Sequence, residues 1–346
     1  MVDFTLRNSN ALGATYTILF NDIDDGLAKY ITDRDIFDDD SVAHLVRVVY
    51  SSQEPSQFQK IMDETSTTHY VLYNGDNPSI IDFQDILDRF TKKGSDAMIY
   101  LIEVDGKTTM ANKILVSKRK ALQKAVKKAM KENRKAPNLV EMIINMVINQ
   151  GVNRAAYKAY YWPVNNIPDY YNITREIVRN KEIFSLLYKD RIIKSRIISE
   201  GYARLGRNAD VVNSFVSDFC QIDGKVDNSV IYPGVIIEEK AEISNSILLP
   251  FAHVGRGAKV VRSIIDENIE PLDRPNVGHY CNIGTEKESL RNGDFPQSIF
   301  SSITLLGKNC HIPDRVTIGG ACYVASNASE ETFGKNRIIH DGVSVV

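Results

Sequence analysis

Tryptophan occurs once in this chain of 346 residues and cysteine only four times, and neither sign of charge prevails, with 42 lysines and arginines against 44 aspartates and glutamates. A formal net charge of −2 argues against a protein devoted to nucleic acid, which would carry a basic excess. Cys220, Cys281, Cys310 and Cys322 are widely spaced with no Cys-x-x-Cys pair, so they read as reduced, buried thiols. Only Cys310 and His311 are adjacent, too few ligands to imply a metal site. No apolar run reaches the about 18 residues needed to span a bilayer, and residues 1–10 have neither the charged start nor the apolar middle of a secretion signal. The expectation is a cytoplasmic protein with neither a membrane nor a nucleic-acid partner. Glycine nowhere gathers into a phosphate-cradling loop: the first two, Gly13 and Gly26, are isolated.

What is present is a repeat. Asn213-Ser214-Phe215-Val216, Asn228-Ser229-Val230-Ile231, Asn245-Ser246-Ile247-Leu248 and Arg262-Ser263-Ile264-Ile265 share one pattern, with serines 15, 17 and 17 residues apart. A period of six runs inside it, as in Val216 to Ile222, Ile231 to Ile237 to Ile243, and Leu248 to Val254 to Val260. Helices need apolar spacings of three and four, and long antiparallel strands need strict alternation; neither fits. Three six-residue units closing one coil of about 18 residues make a parallel β-helix, with the small serine at a crowded corner. The rhythm weakens after Asp266 and returns at Leu306, Ile312, Ile318 and Val324. The pattern predicts a β-helix over 207–346 with a polar excursion near 271–300 and an end cap from about Ser326 to Val346.

Upstream, residues 1–190 alternate strand-like and helix-like pieces. His44 to Tyr50, Tyr70 to Tyr73 and Ala97 to Val104 are β-rich, and Phe83 to Phe90 has helical spacing. This order predicts α/β layering around a largely parallel sheet. Asn74-Gly75-Asp76 ends the Tyr70 strand, where open parallel sheets bind ligands; the same tripeptide is also ordinary turn chemistry. From Ser117 to Lys135 the chain turns basic, with Leu122, Ala125, Val126, Ala129 and Met130 on one helical stripe. This reads as a solvated basic face, with an anionic effector surface as the alternative. Helices are further predicted over Leu139 to Ile148 and over Ile173 to Tyr188, and 191–206 is the expected linker.

Several segments, in order, resemble the glucose-1-phosphate adenylyltransferase (ADP-glucose pyrophosphorylase) family. Val2-Asp3-Phe4-Thr5-Leu6-Arg7-Asn8 is similar to its Ile-Asp-Phe-x-Leu-Ser-Asn segment. His69 to Asp76 followed by Ile81-Asp82-Phe83 is similar to the segment carrying a magnesium-binding aspartate. Met110 to Ser117 resembles a degraded sugar-site strand, and Tyr160-Tyr161-Trp162-Pro163-Val164-Asn165-Asn166-Ile167 resembles Gly-Tyr-Trp-x-Asp-Val-Gly-Thr-Ile. The resemblance implies an incomplete Rossmann-like nucleotidyltransferase domain followed by a left-handed parallel β-helix of hexapeptide repeats. It makes Gly75, Asp76, Tyr161 and Trp162 a vestigial substrate site, with Asp76 a magnesium candidate.

The departures decide the functional expectation. Nucleotidyl transfer needs a triphosphate cradle, cations and metal-holding carboxylates. The family's Gly-Gly-x-Gly loop has no match, and the segment that would follow it already begins at Val2. Pro163, Val164, Asn165 and Asn166 stand where the second metal carboxylate belongs. The sugar-phosphate lysine segment and the Gln-Gly-Thr-Ala base loop are also missing. Losing such groups removes several kcal/mol of transition-state stabilisation each. The expectation is a subunit without catalytic residues or cofactor, needing magnesium only if activity survives. It would assemble with a catalytic adenylyltransferase paralogue or with itself, and take an anionic sugar-phosphate effector. Two alternatives stay open: an active adenylyltransferase whose chain here lacks its opening segment, and a hexapeptide-repeat acyltransferase using His253, His279 or His311 as base. Coil histidines read more simply as solvent-facing turn residues, and Trp162 as packing.

Overall fold

The computed structural model describes residues 17–21, 46–50, 55–75, 77–104, 106–132, 134, 138–189, 201–268 and 275–346. The chain forms two compact units, Met1–Pro163 with Tyr188–Ile197, and Val164–Leu187 with Ile198–Val346.

In the first unit, Thr17–Asn21 and Val46–Tyr50 form a parallel pair. A separate four-stranded sheet runs in the order His69–Tyr73, Lys107–Lys118, Ala97–Val104, Asn153–Lys158. Alternation builds its two faces, because successive side chains of a strand point to opposite sides. Ala97, Ile99 and Leu115 pack with Phe58, Leu122, Val126 and Ile143 from the helices Ser56–Glu64, Arg119–Lys131 and Leu139–Ile148. Met98, Tyr100, Ile102, Ile114 and Val116 pack with Phe83, Ile86 and Phe90 of the helix Phe83–Lys93. Asp82 caps that helix by accepting from the Asp85 amide at 2.9 Å, and Gly94, at φ 66°, ends it.

The layering is α/β as expected, but the sheet is mixed. Lys107–Lys118 runs antiparallel to both neighbours, and only Ala97–Val104 with Asn153–Lys158 is parallel. The signal was local. Val104 pairs with Lys107 across two residues, Asp105-Gly106, the dipeptide that favours a tight hairpin. Met130 also departs from its expected place, being 42% exposed while Leu122, Ala125, Val126 and Ala129 are buried. At about 100° per residue it lies roughly 90° off the centre of that stripe.

In the second unit every strand among the described residues pairs in parallel. Two seven-stranded sheets and one four-stranded sheet form the walls of a β-helix. One wall begins Asp210–Val212, Lys225–Asp227, Glu242–Ser244, Lys259–Val261; the next begins Phe215–Val216, Val230–Ile231, Ile247–Leu248, Ser263–Ile265. Val226, Ile243 and Val260 stack inward from the first, Ile231, Leu248 and Ile265 from the second, and Ile222, Ile237 and Val254 from the third. Burial of each such side chain contributes about 1.5–3 kcal/mol, which no single coil could secure alone.

The repeated Asn-Ser corner has a two-part cause. Asn213, Asn228, Asn245 and Arg262 all take positive φ, between 46° and 54°, a region that asparagine tolerates better than most side chains. Each serine hydroxyl then links coils. Ser214, Ser229 and Ser246 Oγ accept from the amides of Ser229, Ser246 and Ser263 at 3.1, 3.0 and 3.1 Å. Each also donates to the carbonyl two residues earlier, at 2.7, 2.7 and 2.8 Å.

The two apolar residues after each serine face opposite ways. The second is the inward residue. The first, as in Val230, Ile247 and Ile264, lies with Tyr171, Ile167 and Val178 of the helix Ile167–Arg179. That helix therefore clusters with the coils, and the unit boundary falls at Pro163 where a single division near 190 was expected. The helix predicted over Ile173 to Tyr188 is two, Ile167–Arg179 and Lys181–Lys189. Asn180 separates them, its Oδ1 accepting from the amides of Glu182 and Ile183 at 3.0 and 3.2 Å.

The polar excursion is interrupted. Asn282–Ile283 returns to the first wall between Lys259–Val261 and Thr317–Ile318, and Val277 bridges Val254 and Ile312 in the third. Val277 and Ile283 keep the six-residue period, hidden by polar neighbours. The stretch after Ser326 also contributes strands, Ile338–Ile339 and Ser344–Val345, so it extends the stack with Phe333 buried in its core. Of the expected linker 191–206, residues up to 200 lie outside the described set, and Arg204–Leu205 already pairs with Gln221–Ile222.

Candidate functional site

The segments expected to form a vestigial sugar site do meet. Ser79–Ile80 pairs antiparallel with Tyr160–Tyr161, and the Trp162 amide donates to the Pro78 carbonyl at 3.0 Å. Asn77 Nδ2 donates to the Tyr161 hydroxyl at 2.8 Å. The loop containing Gly75 is thus joined to Tyr161 and Trp162, more than eighty positions away. Tyr160 and Trp162, two apart on an extended segment and so on one face, stack at 5.9 Å with an interplanar angle of 11°. Tyr160 is 44% exposed while Trp162 is buried. Sequence reasoning missed Tyr160 and Asn77. Two aromatics at i and i+2, Tyr160 and Trp162, were the available signal. Asp76 lies outside the described residues.

The neighbouring carboxylates are committed. Asp82 is the helix cap described above, and its carbonyl accepts from the Tyr157 hydroxyl at 3.1 Å. Burial pushes that phenol up to about 12. Asp85 pairs with Arg89 at 2.9 Å, which holds its carboxyl below the usual range. Beyond Trp162 the resemblance calls for a metal carboxylate, but Asn166 Oδ1 accepts from the Asp169 amide at 2.8 Å as the helix cap. Asn165 donates to Asp169 Oδ2 from its backbone and side chain at 3.0 and 3.2 Å. These residues do not fit magnesium, whose sites use hard oxygen ligands led by carboxylates. Among the described residues no group of three His, Cys, Asp or Glu side chains is arranged to hold a metal ion.

In the second unit, two of the three coil histidines come together. His253 Nε2 lies 2.9 Å from Glu238 Oε1, and His279 Nε2 lies 3.9 Å from Glu238 Oε2. His279 Nδ1 is 3.8 Å from Asp314. His253 is on the strand His253–Val254 and 8% exposed, which corrects its reading as a solvent-facing turn residue. The other ring nitrogen, Nδ1, is enclosed without a hydrogen-bond partner. A base must reach its substrate's proton, and this nitrogen faces no solvent. The His311 amide donates to the Ala328 carbonyl at 2.7 Å. Glu238, which organises the two rings, carried no sequence signal of its own.

These features define a hexapeptide-repeat β-helix protein with an α/β unit ahead of its coils. Residues 199–291 match the family described as GlmU-like, C-terminal hexapeptide. Curated proteins similar to this chain include glucose-1-phosphate adenylyltransferases. That of Desulfitobacterium hafniense is 30% identical over 163 residues, covering 47% of this chain and 37% of the relative. That of Fervidobacterium nodosum is 27% identical over 180 residues, covering 51% and 43%. That of Acetivibrio thermocellus is 31% identical over 129 residues, covering 37% and 29%. The chain spans less than half the length of these relatives. Among the described residues no helix is long and apolar enough to cross a membrane.

Proposed function

We propose that this chain is a regulatory or structural subunit of glucose-1-phosphate adenylyltransferase, acting in the cytoplasm in ADP-glucose formation for glycogen without turnover of its own. The observation that supports this reading is the use of Asn165 and Asn166. At the place where the resemblance requires a magnesium carboxylate, Asn166 caps a helix that packs on the coils and Asn165 donates to the Asp169 carboxylate of its first turn. Phosphoryl chemistry in such enzymes depends on cations that neutralise developing charge. A site with its carboxylate replaced by a structural cap serves assembly better than catalysis. The coils supply the surface for association with a catalytic paralogue.

Two measurements test this. The chain alone, given glucose 1-phosphate, ATP and magnesium, should form no ADP-glucose above a no-enzyme control. Co-expressed with a paralogue that keeps the glycine loop, it should co-elute and change that enzyme's KM or kcat at least twofold. Turnover by the chain alone would make it an active adenylyltransferase. Absence of both a complex and a kinetic effect would reject the subunit reading.

A further inference from the structure

The helix Arg119–Lys131 carries Arg119, Lys120, Lys124, Lys127, Lys128 and Lys131 and no acid, in a chain whose acids outnumber its bases. Nothing within the helix favours this composition. Lysines three and four residues apart repel one another. The basic first turn also lies at the positive end of the helix dipole, with no aspartate or glutamate to offset it.

At about 100° per residue, Lys120, Lys124, Lys127 and Lys131 fall within an arc of about 60°. That arc lies opposite the buried stripe of Leu122, Ala125, Val126 and Ala129, and all four lysines are exposed. The row runs for about 16 Å, with successive charges about 5 Å apart along the axis. The neighbouring acids are already engaged. Asp96 pairs with Lys118 at 3.1 Å, and Glu132 with Lys128 and Arg134 at 3.9 and 2.5 Å. Among the described residues none of the four lysines of the row makes an ion pair. Met130, 42% exposed, stands beside them, about 90° from the centre of the row.

The chemistry of this face selects its occupant. Arg119, the one guanidinium of the helix, is engaged inside the unit, donating from Nη1 to the Thr65 carbonyl at 2.5 Å and from Nη2 to the Met62 carbonyl. The row itself therefore has neither the forked donor nor the aromatic ring by which proteins read nucleic acid. The apolar side of the helix is enclosed in the core, so it has no face to sink into a membrane. Ammonium groups about one turn apart, with an adaptable methionine beside them, match carboxylates repeated along a second helix.

We propose that Lys120, Lys124, Lys127 and Lys131, with Met130 at their edge, form the docking surface for an acidic helix of a partner protein. Attraction between the two rows acts before contact and sets the rate and salt dependence of association. The surface lies wholly within the α/β unit and stands whether or not the partner is a catalytic adenylyltransferase.

The test uses the full chain and the fluorescence anisotropy of a labelled helical peptide with glutamate at i, i+4, i+7 and i+11 among alanines and glutamines. A scrambled peptide of the same composition, single-stranded DNA, phosphatidylserine vesicles and inorganic phosphate serve as competitors at matched ionic strength. The aligned peptide should bind about tenfold more tightly than the scrambled one, and more weakly as salt shortens the reach of charge. Lys120→Gln, Lys124→Gln, Lys127→Gln and Lys131→Gln together should weaken binding about tenfold without lowering Tm, because the variant loses only repulsion. Met130→Ala should weaken it about threefold, and Lys225→Gln with Lys259→Gln, on the solvated coil wall, should leave it unchanged. The proposal is overturned if the fourfold variant binds the aligned peptide like the parent, or if the scrambled peptide binds equally well, which would leave the row a solvated face. Displacement of the labelled peptide by DNA, vesicles or phosphate at lower concentration than by unlabelled peptide would also overturn it, and would assign the lysines to that ligand.

Discussion

Ser246 Oγ accepts from the backbone amide of Ser263 at 3.1 Å and donates to the carbonyl of Ser244 at 2.8 Å. One hydroxyl thus satisfies a donor of the following coil and an acceptor of its own. It is fully buried, so no water can replace it. The corner also places the outward residue Ile247 beneath Tyr171, whose hydroxyl donates to the Asn245 carbonyl. The serine therefore connects the stacking of coils with the seat of the helix that covers them.

Ser246→Ala should destabilise the protein by about 2 kcal/mol, since a buried amide left without its acceptor loses roughly 1–3 kcal/mol. Urea unfolding followed by far-UV circular dichroism should give a lower midpoint at unchanged slope. Ser214→Ala, at the more open end of the ladder, should cost less than Ser246→Ala, because the Val212 carbonyl it frees belongs to an exposed residue that water can reach. Equal losses at both positions would contradict the burial argument.

Asp341 supplies a pH dependence. Its Oδ1 accepts from the Gly320 amide at 2.8 Å and its Oδ2 lies 3.3 Å from Lys287 Nζ. The amide first, and then the lysine, hold its carboxyl below the usual range. A folded-state value below the unfolded value of about 3.9 means that this stability is present above about pH 4 and lost as pH falls through the folded value. Asp341→Asn should lose less stability than the parent when pH is lowered from about 5 to 2. A parallel decline of both proteins would show that Asp341 is not among the groups responsible.

The four thiols should resist modification while the fold persists. Burial pushes Cys220 and Cys281 up to about 11 and Cys310 up to about 12. At pH 8 a thiol of pKa about 11 is thiolate in only about one molecule in a thousand. A chromogenic disulfide reagent should titrate almost none of the four in the native protein and all four in guanidinium. Rapid native reaction of even one would mean that its coil opens readily.

The legible and the hidden features divide by range. Spacing alone located the coils, their walls and the Asn-Ser corners, because a parallel β-helix repeats its burial every six residues. The same pattern contained more than was read from it. Its two consecutive apolar residues mark a wall covered on both faces, whereas Lys225, Glu242 and Lys259 mark a solvated one. Val277 and Ile283 were in phase but masked by polar neighbours. The Asp105-Gly106 dipeptide was a local sequence signal outweighed by the expectation of parallel strands, and Asn180 was a cap concealed inside an apparently continuous helix. At the candidate site, Tyr161 and Trp162 were legible as a segment. Their partner Asn77 was not, since a hydrogen bond across 84 positions leaves no periodic trace.

By itself the sequence determined the coil architecture, the α/β order and the absence of an acid after Trp162, since period, propensity and residue identity are local properties. Only the tertiary structure decided that Asn166 caps a helix seated on the coils and that Glu238 gathers His253 and His279. These relationships depend on which surfaces meet when apolar faces are buried, and that is settled by the packing of the whole unit.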